Sequence, residues 1–143
     1  MIEFTVYGEP VGKGRPKFGG GRTYTPAKTV NYEQAVKQAF ITKYPDHAPY
    51  PKDVPLYVGI TAYFSIPSSV SNRKKEMMEK WKIYPCKRPD GDNILKVICD
   101  ACNKLIYYDD AQVIDSAVRK VYSTQPRVEV RIYPIDAIMG EKV

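Results

Sequence analysis

The chain has 143 residues, is 43% hydrophobic and 27% charged, and carries a formal net charge of +6 with a pI of about 9.1. That is the size and balance of one globular domain with enough apolar material for a core, and no run of about 18 apolar residues offers a membrane span. An excess of cations attracts phosphate polyanions, which makes nucleic acid a candidate partner; the alternative is a surface that is merely basic.

Residues 2–7 alternate weakly and read as a first strand, and the opening MIEFTVYGEP lacks the layout of an export signal, which points to the cytoplasm. Residues 8–28, GEPVGKGRPKFGGGRTYTPAK, are punctuated so densely by Gly and Pro that loop is expected throughout. No acid follows Glu9 in that stretch, while Lys13, Arg15, Lys17, Arg22 and Lys28 supply five cations. A helix is expected from about Asn31 to Pro45. Asn31 and Gln34 form a capping box there, and Tyr32, Ala35, Val36, Ala39 and Phe40 recur at helical spacing. Residues 45–55 hold four prolines and are loop.

Leu56, Val58, Ile60, Ala62, Phe64 and Ile66 alternate strictly, the strongest strand signal in the chain. Tyr57 and Tyr63 fall on its second face, to pack against the chain's own helices or to be covered by a partner. SNRKKEMMEKWK reads as a short charged helix with Met77, Met78 and Trp81 as its apolar side. Residues 73–88 carry seven Lys or Arg, Lys87 and Arg88 among them, against two Glu. This basic helical insertion, residues 68–87, is either a solvated face or a surface for DNA.

Asp92 to Leu105 reads as the second main helix, with Ile94, Val97, Ile98, Ala101 and Leu105 on the apolar side and Asp92, Lys96, Asp100 and Asn103 opposite. Residues 112–122 fit either period, but β-branched side chains dominate and a second alternating run (Val128, Val130, Ile132) follows, so strand is expected. The tail, residues 135–143, is expected to be peripheral. No repeat, low-complexity tract or linker divides the chain.

The chemistry concentrates in RPDGDNILKVICDACNKLIYYDDAQV, residues 88–113. Asp90 and Asp92 flank a glycine at a helix start, Lys96 lies one turn beyond Asp92 on the same face, and Asp109 and Asp110 sit in the connection to the next strand. Carboxylates repel phosphate, so they suit a nucleic-acid protein only if a hard cation bridges the two. Magnesium takes oxygen ligands and shares them with substrate phosphate, and a lysine nearby can stabilise charge that builds at the phosphorus. The plainer alternatives are an N-cap at Asp90 or Asp92 and an ordinary turn at Asp109–Asp110. Cys86, Cys99 and Cys102 are expected to be reduced thiols. The CxxC pair with His47 is an alternative zinc reading, but it lacks a second tight ligand pair and falls in a helical apolar pattern, so no zinc is expected.

Three segments resemble the RusA family of Holliday-junction resolvases: GEPVGKGRPKF with GRTYTP, RPDGDNILKVICDA, and YYDDAQV. Their order and spacing agree from about residue 7 to residue 133. The resemblance implies a single compact α/β (α+β) domain, a mixed β-sheet with two main helices packed on it, working as a homodimer. It implies magnesium- or manganese-dependent cutting of four-way DNA junctions in recombination and repair, in a bacterial or phage setting. It places catalytic, metal-holding acids at Asp90, Asp92 and Asp110 and a catalytic lysine at Lys96, with Asp100, Asp109 and Asn93 in support. Lys13, Arg15, Lys17, Arg22, Lys87 and Arg88 are the candidate DNA contacts. Lys104 stands where the family often carries Gly, which is expected to change the helix exit. The competing reading is a non-catalytic DNA-binding module of the same fold. Retention of all three acids and the lysine favours the enzyme.

Overall fold

The strand that alternation marks most clearly lies in the interior of a four-stranded sheet. In the computed structural model, which describes residues 1–135, β1 (Ile2–Tyr7), β4 (Leu56–Ser65), β5 (Val113–Ser123) and β6 (Arg127–Pro134) pair in the order β1-β6-β4-β5. β6 is antiparallel to both β1 and β4, whereas β4 and β5 run parallel. The sheet is therefore mixed, and the β4-to-β5 connection crosses over, as a parallel pair requires.

The period of two is what gives the sheet its buried face. Rows such as Phe4–Val130–Ile60 and Ile2–Ile132–Val58 run across three strands, all buried. Helices α1 (Ala27–Lys43) and α3 (Gly91–Cys102) cover that face and pack on each other. α1 contributes Tyr32, Val36 and Phe40, and α3 contributes Ile94, Val97 and Ile98. Truncating any of these large side chains to Ala costs about 2–5 kcal/mol. α2 (Asn72–Glu79), capped by the Ser71 hydroxyl, sends Met78 into the same core.

Four expectations change. The segment 8–28 is not loop throughout: β2 (Lys17–Gly19) and β3 (Arg22–Tyr24) form a hairpin around Gly20 and Gly21, whose φ values of 60° and 78° suit a two-residue primed turn. α1 starts a turn earlier than Asn31. Its N-cap is Pro26, which offers no side-chain acceptor, and Asn31 and Gln34 lie inside the helix instead of forming a capping box. α3 ends at Cys102 and not at Leu105, because the C-cap Asn103 turns extended (φ −61°, ψ 130°) and Lys104 after it is left-handed at φ 65°. Tyr57 and Tyr63 do not pack on α1 or α3, although Tyr63 lines a small cleft with Glu79 at the end of α2. They lie on the sheet's other face, where Tyr57 stacks on Tyr133 at 4.8 Å between ring centres and Arg127 covers Tyr63 at 3.7 Å. The peripheral tail falls, beyond Ile135, outside the described residues.

Candidate active site

α3 organises two clefts. Asp90 is its N-cap residue, yet the carboxylate makes no capping bond and is left to the surroundings. Asp92, Lys96 and Asp100 follow at intervals of four, which stacks them along one exposed stripe of the helix. That stripe forms one wall of a cleft of about 300 Å³, and Asp110, Val113 and Ser116 come from the opposite side. Cys99 and Leu95 form part of the lining.

Asp110 reaches the cleft because of the short helical turn it opens, Asp110–Gln112. Asp109 caps that turn by accepting from the Ala111 N–H at 3.2 Å. Gln112 is buried and pins it: the amide donates to the carbonyls of Pro51 at 2.7 Å and Val54 at 3.1 Å, and its oxygen accepts from the N–H groups of Tyr108 and Asp109. The two adjacent acids therefore divide their work. The Ala111 N–H and the neighbouring Asp110 hold the Asp109 carboxyl below its ordinary range. The hydrogen bond with Asp109, then desolvation and the repulsion of Asp109 and Asp100, push the Asp110 carboxyl above it. Asp110 is the member of the pair that holds its proton more tightly.

The second cleft, of about 480 Å³, lies on the N-terminal side of α3. Asp90 and Asn93 line it beside Lys13, Lys17, Lys28 and Arg88. The loop before β2 is drawn against α3 by the Lys13 N–H bond to the Asn93 carbonyl, 3.0 Å, and against α1 by the Gly14 N–H bond to Thr29 Oγ1. The glycines of VGKGRP make this approach possible. A Cβ on Gly12 would stand 2.8 Å from Pro89 Cβ, and one on Gly14 2.7 Å from Thr29 Oγ1.

The predicted DNA contacts separate into two groups. Lys13 bridges Glu33 at 2.9 Å and Asp100 at 3.0 Å. Burial opposes its charge, but those two carboxylates outweigh burial and hold the ammonium above its ordinary value. Lys87 lies against the rings of Phe64 and Tyr122. Among the described residues, Arg15, Lys17, Arg22, Arg88 and Lys96 enter no ion pair. His47 Nε2 is 3.1 Å from the Ile106 carbonyl and its ring meets Phe40 and Tyr50 edge-on, while Cys86 is exposed and Cys99 and Cys102 are buried.

The family model for endodeoxyribonuclease RusA matches residues 7–133. The chain belongs to the RusA endodeoxyribonuclease family. It is 42% identical over 142 residues to the uncharacterized protein YqaN of Bacillus subtilis (strain 168), covering 95% of this chain and 98% of that one. It is 34% identical over 82 residues to a crossover junction endodeoxyribonuclease of Lactococcus phage r1t, covering 57% and 56% of the two chains. No described helix is long and apolar enough to cross a membrane.

The RusA segments map directly onto this geometry. RPDGDNILK supplies the N-cap and first turns of α3, and YYDDAQV supplies the pinned turn. Asp92, Lys96, Asp100 and Asp110 come together at one cleft, and Asp90 and Asn93 face the neighbouring one. Lys104 takes a left-handed conformation of the kind glycine adopts most readily. Two residues of the site were missed in the sequence: Ser116 on the cleft wall and Gln112 as the anchor of the turn. Only Gln112 had a signal, its place in the DDAQV motif.

Proposed function

We propose that this chain is a divalent-metal-dependent endonuclease that cuts four-way DNA junctions by paired hydrolysis in recombination and repair. The observation that carries the reading is the meeting of Asp92, Asp100, Asp110 and Lys96 at one cleft beside a second, cation-lined cleft.

The carboxylates suit a hard cation. They are oxygen donors, and a DNA-facing surface gains nothing from them otherwise. Among the described residues no three His, Cys, Asp or Glu side chains are grouped closely enough to hold one ion between them. Magnesium does not require such a group, since it typically takes one or two carboxylates and completes its shell with water and substrate phosphate. Asp92 and Asp110 would hold the ion, with Asp90 adjoining from the α3 N-cap; manganese would fit the same oxygens. When bound, the ion supplies the charge that polarises a phosphodiester and acidifies a water.

The chain's own groups supply the rest. Lys17, Lys28 and Arg88 attract the backbone into the cationic cleft. Lys96, with no ion pair to hold it, presents its ammonium where charge builds on the phosphate. Asn93 ties the cationic loop to α3 through its carbonyl, Asp100 completes the helix stripe, and Lys13 restrains Asp100. A four-way junction needs two opposed nicks, and a symmetric homodimer provides two equivalent sites.

The test is purified protein with magnesium and a labelled four-way junction, beside matched linear duplex. The junction should be cut symmetrically and the duplex spared, with activity lost in chelator. Asp90→Asn, Asp92→Asn and Asp110→Asn should each abolish cutting and keep or strengthen binding. Junction binding without cutting by the intact chain would select the non-catalytic module instead. Nicked products never converted to paired cuts, with a monomer mass in solution, would remove the dimer.

A further inference from the structure

The β2–β3 ribbon takes no part in the core, and its surface is unlike the rest of the molecule. Cross-strand pairing puts Lys17 with Tyr24 and Gly19 with Arg22 on one face, and Phe18 with Thr23 on the other. The Tyr24 ring is braced across Gly19, where a Cβ would stand 3.2 Å from its Cε1. Phe18 has no such support. At 77% exposure it is the most exposed large apolar side chain among the described residues. The ribbon starts at the cationic cleft, since Lys17 lines it together with Asp90. Residues 10–28 contain five cations and no acid.

An occupant that reaches both faces of the ribbon must offer phosphates to Lys17 and Arg22 on one side and a flat apolar face to the Phe18 ring on the other. A linear duplex offers only the phosphates, because its base faces are stacked on one another. A branch point offers both. We propose that Phe18 stacks on an unstacked base at the branch of a DNA junction, and that this contact is what favours branched DNA over linear duplex. The inference rests on the junction reading above and adds the residue that recognises the branch.

The test measures binding in chelator, where nothing is cut. A four-way junction carrying 2-aminopurine at the branch is titrated with wild type and variants, beside a linear duplex of the same sequence. Stacking on an aromatic side chain corresponds to a junction affinity loss of roughly 5- to 150-fold for Phe18→Ala. Duplex affinity should stay within about twofold, because the phosphate contacts remain. The 2-aminopurine signal change should vanish in Phe18→Ala and return in Phe18→Trp but not in Phe18→Leu. Unchanged junction affinity, equal losses on junction and duplex, or full rescue by Leu would each overturn the assignment. So would a dimer that dissociates on Phe18→Ala, which would give the ring to a second copy of this chain. A protein that binds in this way but never cuts retires the nuclease reading and leaves the contact standing. One that cuts while Phe18→Ala binds junctions like wild type retires the contact alone.

Discussion

Replacing Gln112 with Ala removes the anchor of the turn that carries Asp110. Four well-placed hydrogen bonds are lost, to the Pro51 and Val54 carbonyls and from the Tyr108 and Asp109 N–H groups. Each is worth about 1 kcal/mol net, and a buried group left without a partner costs about 1–3 kcal/mol. Tyr108 and Asp109 are exposed, so water replaces the partners of their N–H groups. The expected loss is therefore about 2–4 kcal/mol rather than the full sum. At about 2–4 °C per kcal/mol for a chain of this size, the melting midpoint falls by roughly 5–15 °C. Activity should fall further than stability accounts for. A reacting group displaced by about 1 Å can cost roughly 100-fold in rate, so single-turnover junction cutting should drop by roughly 10- to 100-fold where the variant is fully folded. Gln112→Glu should not rescue, because it sets a carboxylate against two carbonyl oxygens. Circular dichroism melts and single-turnover cleavage read both quantities. A midpoint within about 1 °C of wild type, or wild-type cutting by the folded variant, would refute the role given to Gln112.

Lys96→Ala should lose about 2.7–4 kcal/mol of transition-state stabilisation with little change in junction affinity; parallel losses in rate and affinity would make Lys96 a ground-state phosphate clamp. Plots of log affinity against log salt should flatten by about 0.9 for Lys17→Ala or Arg15→Ala. Lys13→Ala should leave that slope nearly unchanged because its charge is already spent on Glu33 and Asp100; an equal flattening would show that Lys13 contacts phosphate. Lys104→Gly relieves a left-handed residue that costs about 1–2 kcal/mol, partly offset by the greater freedom of an unfolded glycine. The net gain of about 0.5–1 kcal/mol should raise the midpoint by about 1–4 °C, and a lowered midpoint would contradict the strain.

Where local pattern decides structure, the sequence was readable. β4 alternates because one face is buried, and the Asp92–Lys96–Asp100 stripe follows from helical spacing alone. The hairpin was hidden by the same glycines that build it: their density reads as loop, yet Gly20–Gly21 is a two-residue turn. α1 began early because Pro26 caps it without a side-chain oxygen to announce the start. The site was half readable. Asp110 reaches the cleft through an anchor on Pro51, 61 positions earlier than Gln112, and no local spacing encodes that. Lys13 looked like every other cation of its loop until the fold placed Glu33 and Asp100 around it.

The three thiols differ in a way that makes the protein easy to instrument. Cys86 is exposed, whereas burial pushes the Cys99 thiol up to about 11 and Cys102 higher still. The thiolate is the species that reacts with maleimides and iodoacetamides, so both buried cysteines resist them while the fold holds. A dye added to the native chain goes to Cys86, next to Lys87 and Arg88, with Arg88 on the rim of the cationic cleft. The unmodified sequence thus provides a single attachment point for a fluorophore beside the cationic cleft, and Cys99 and Cys102 become labelled only as the core opens.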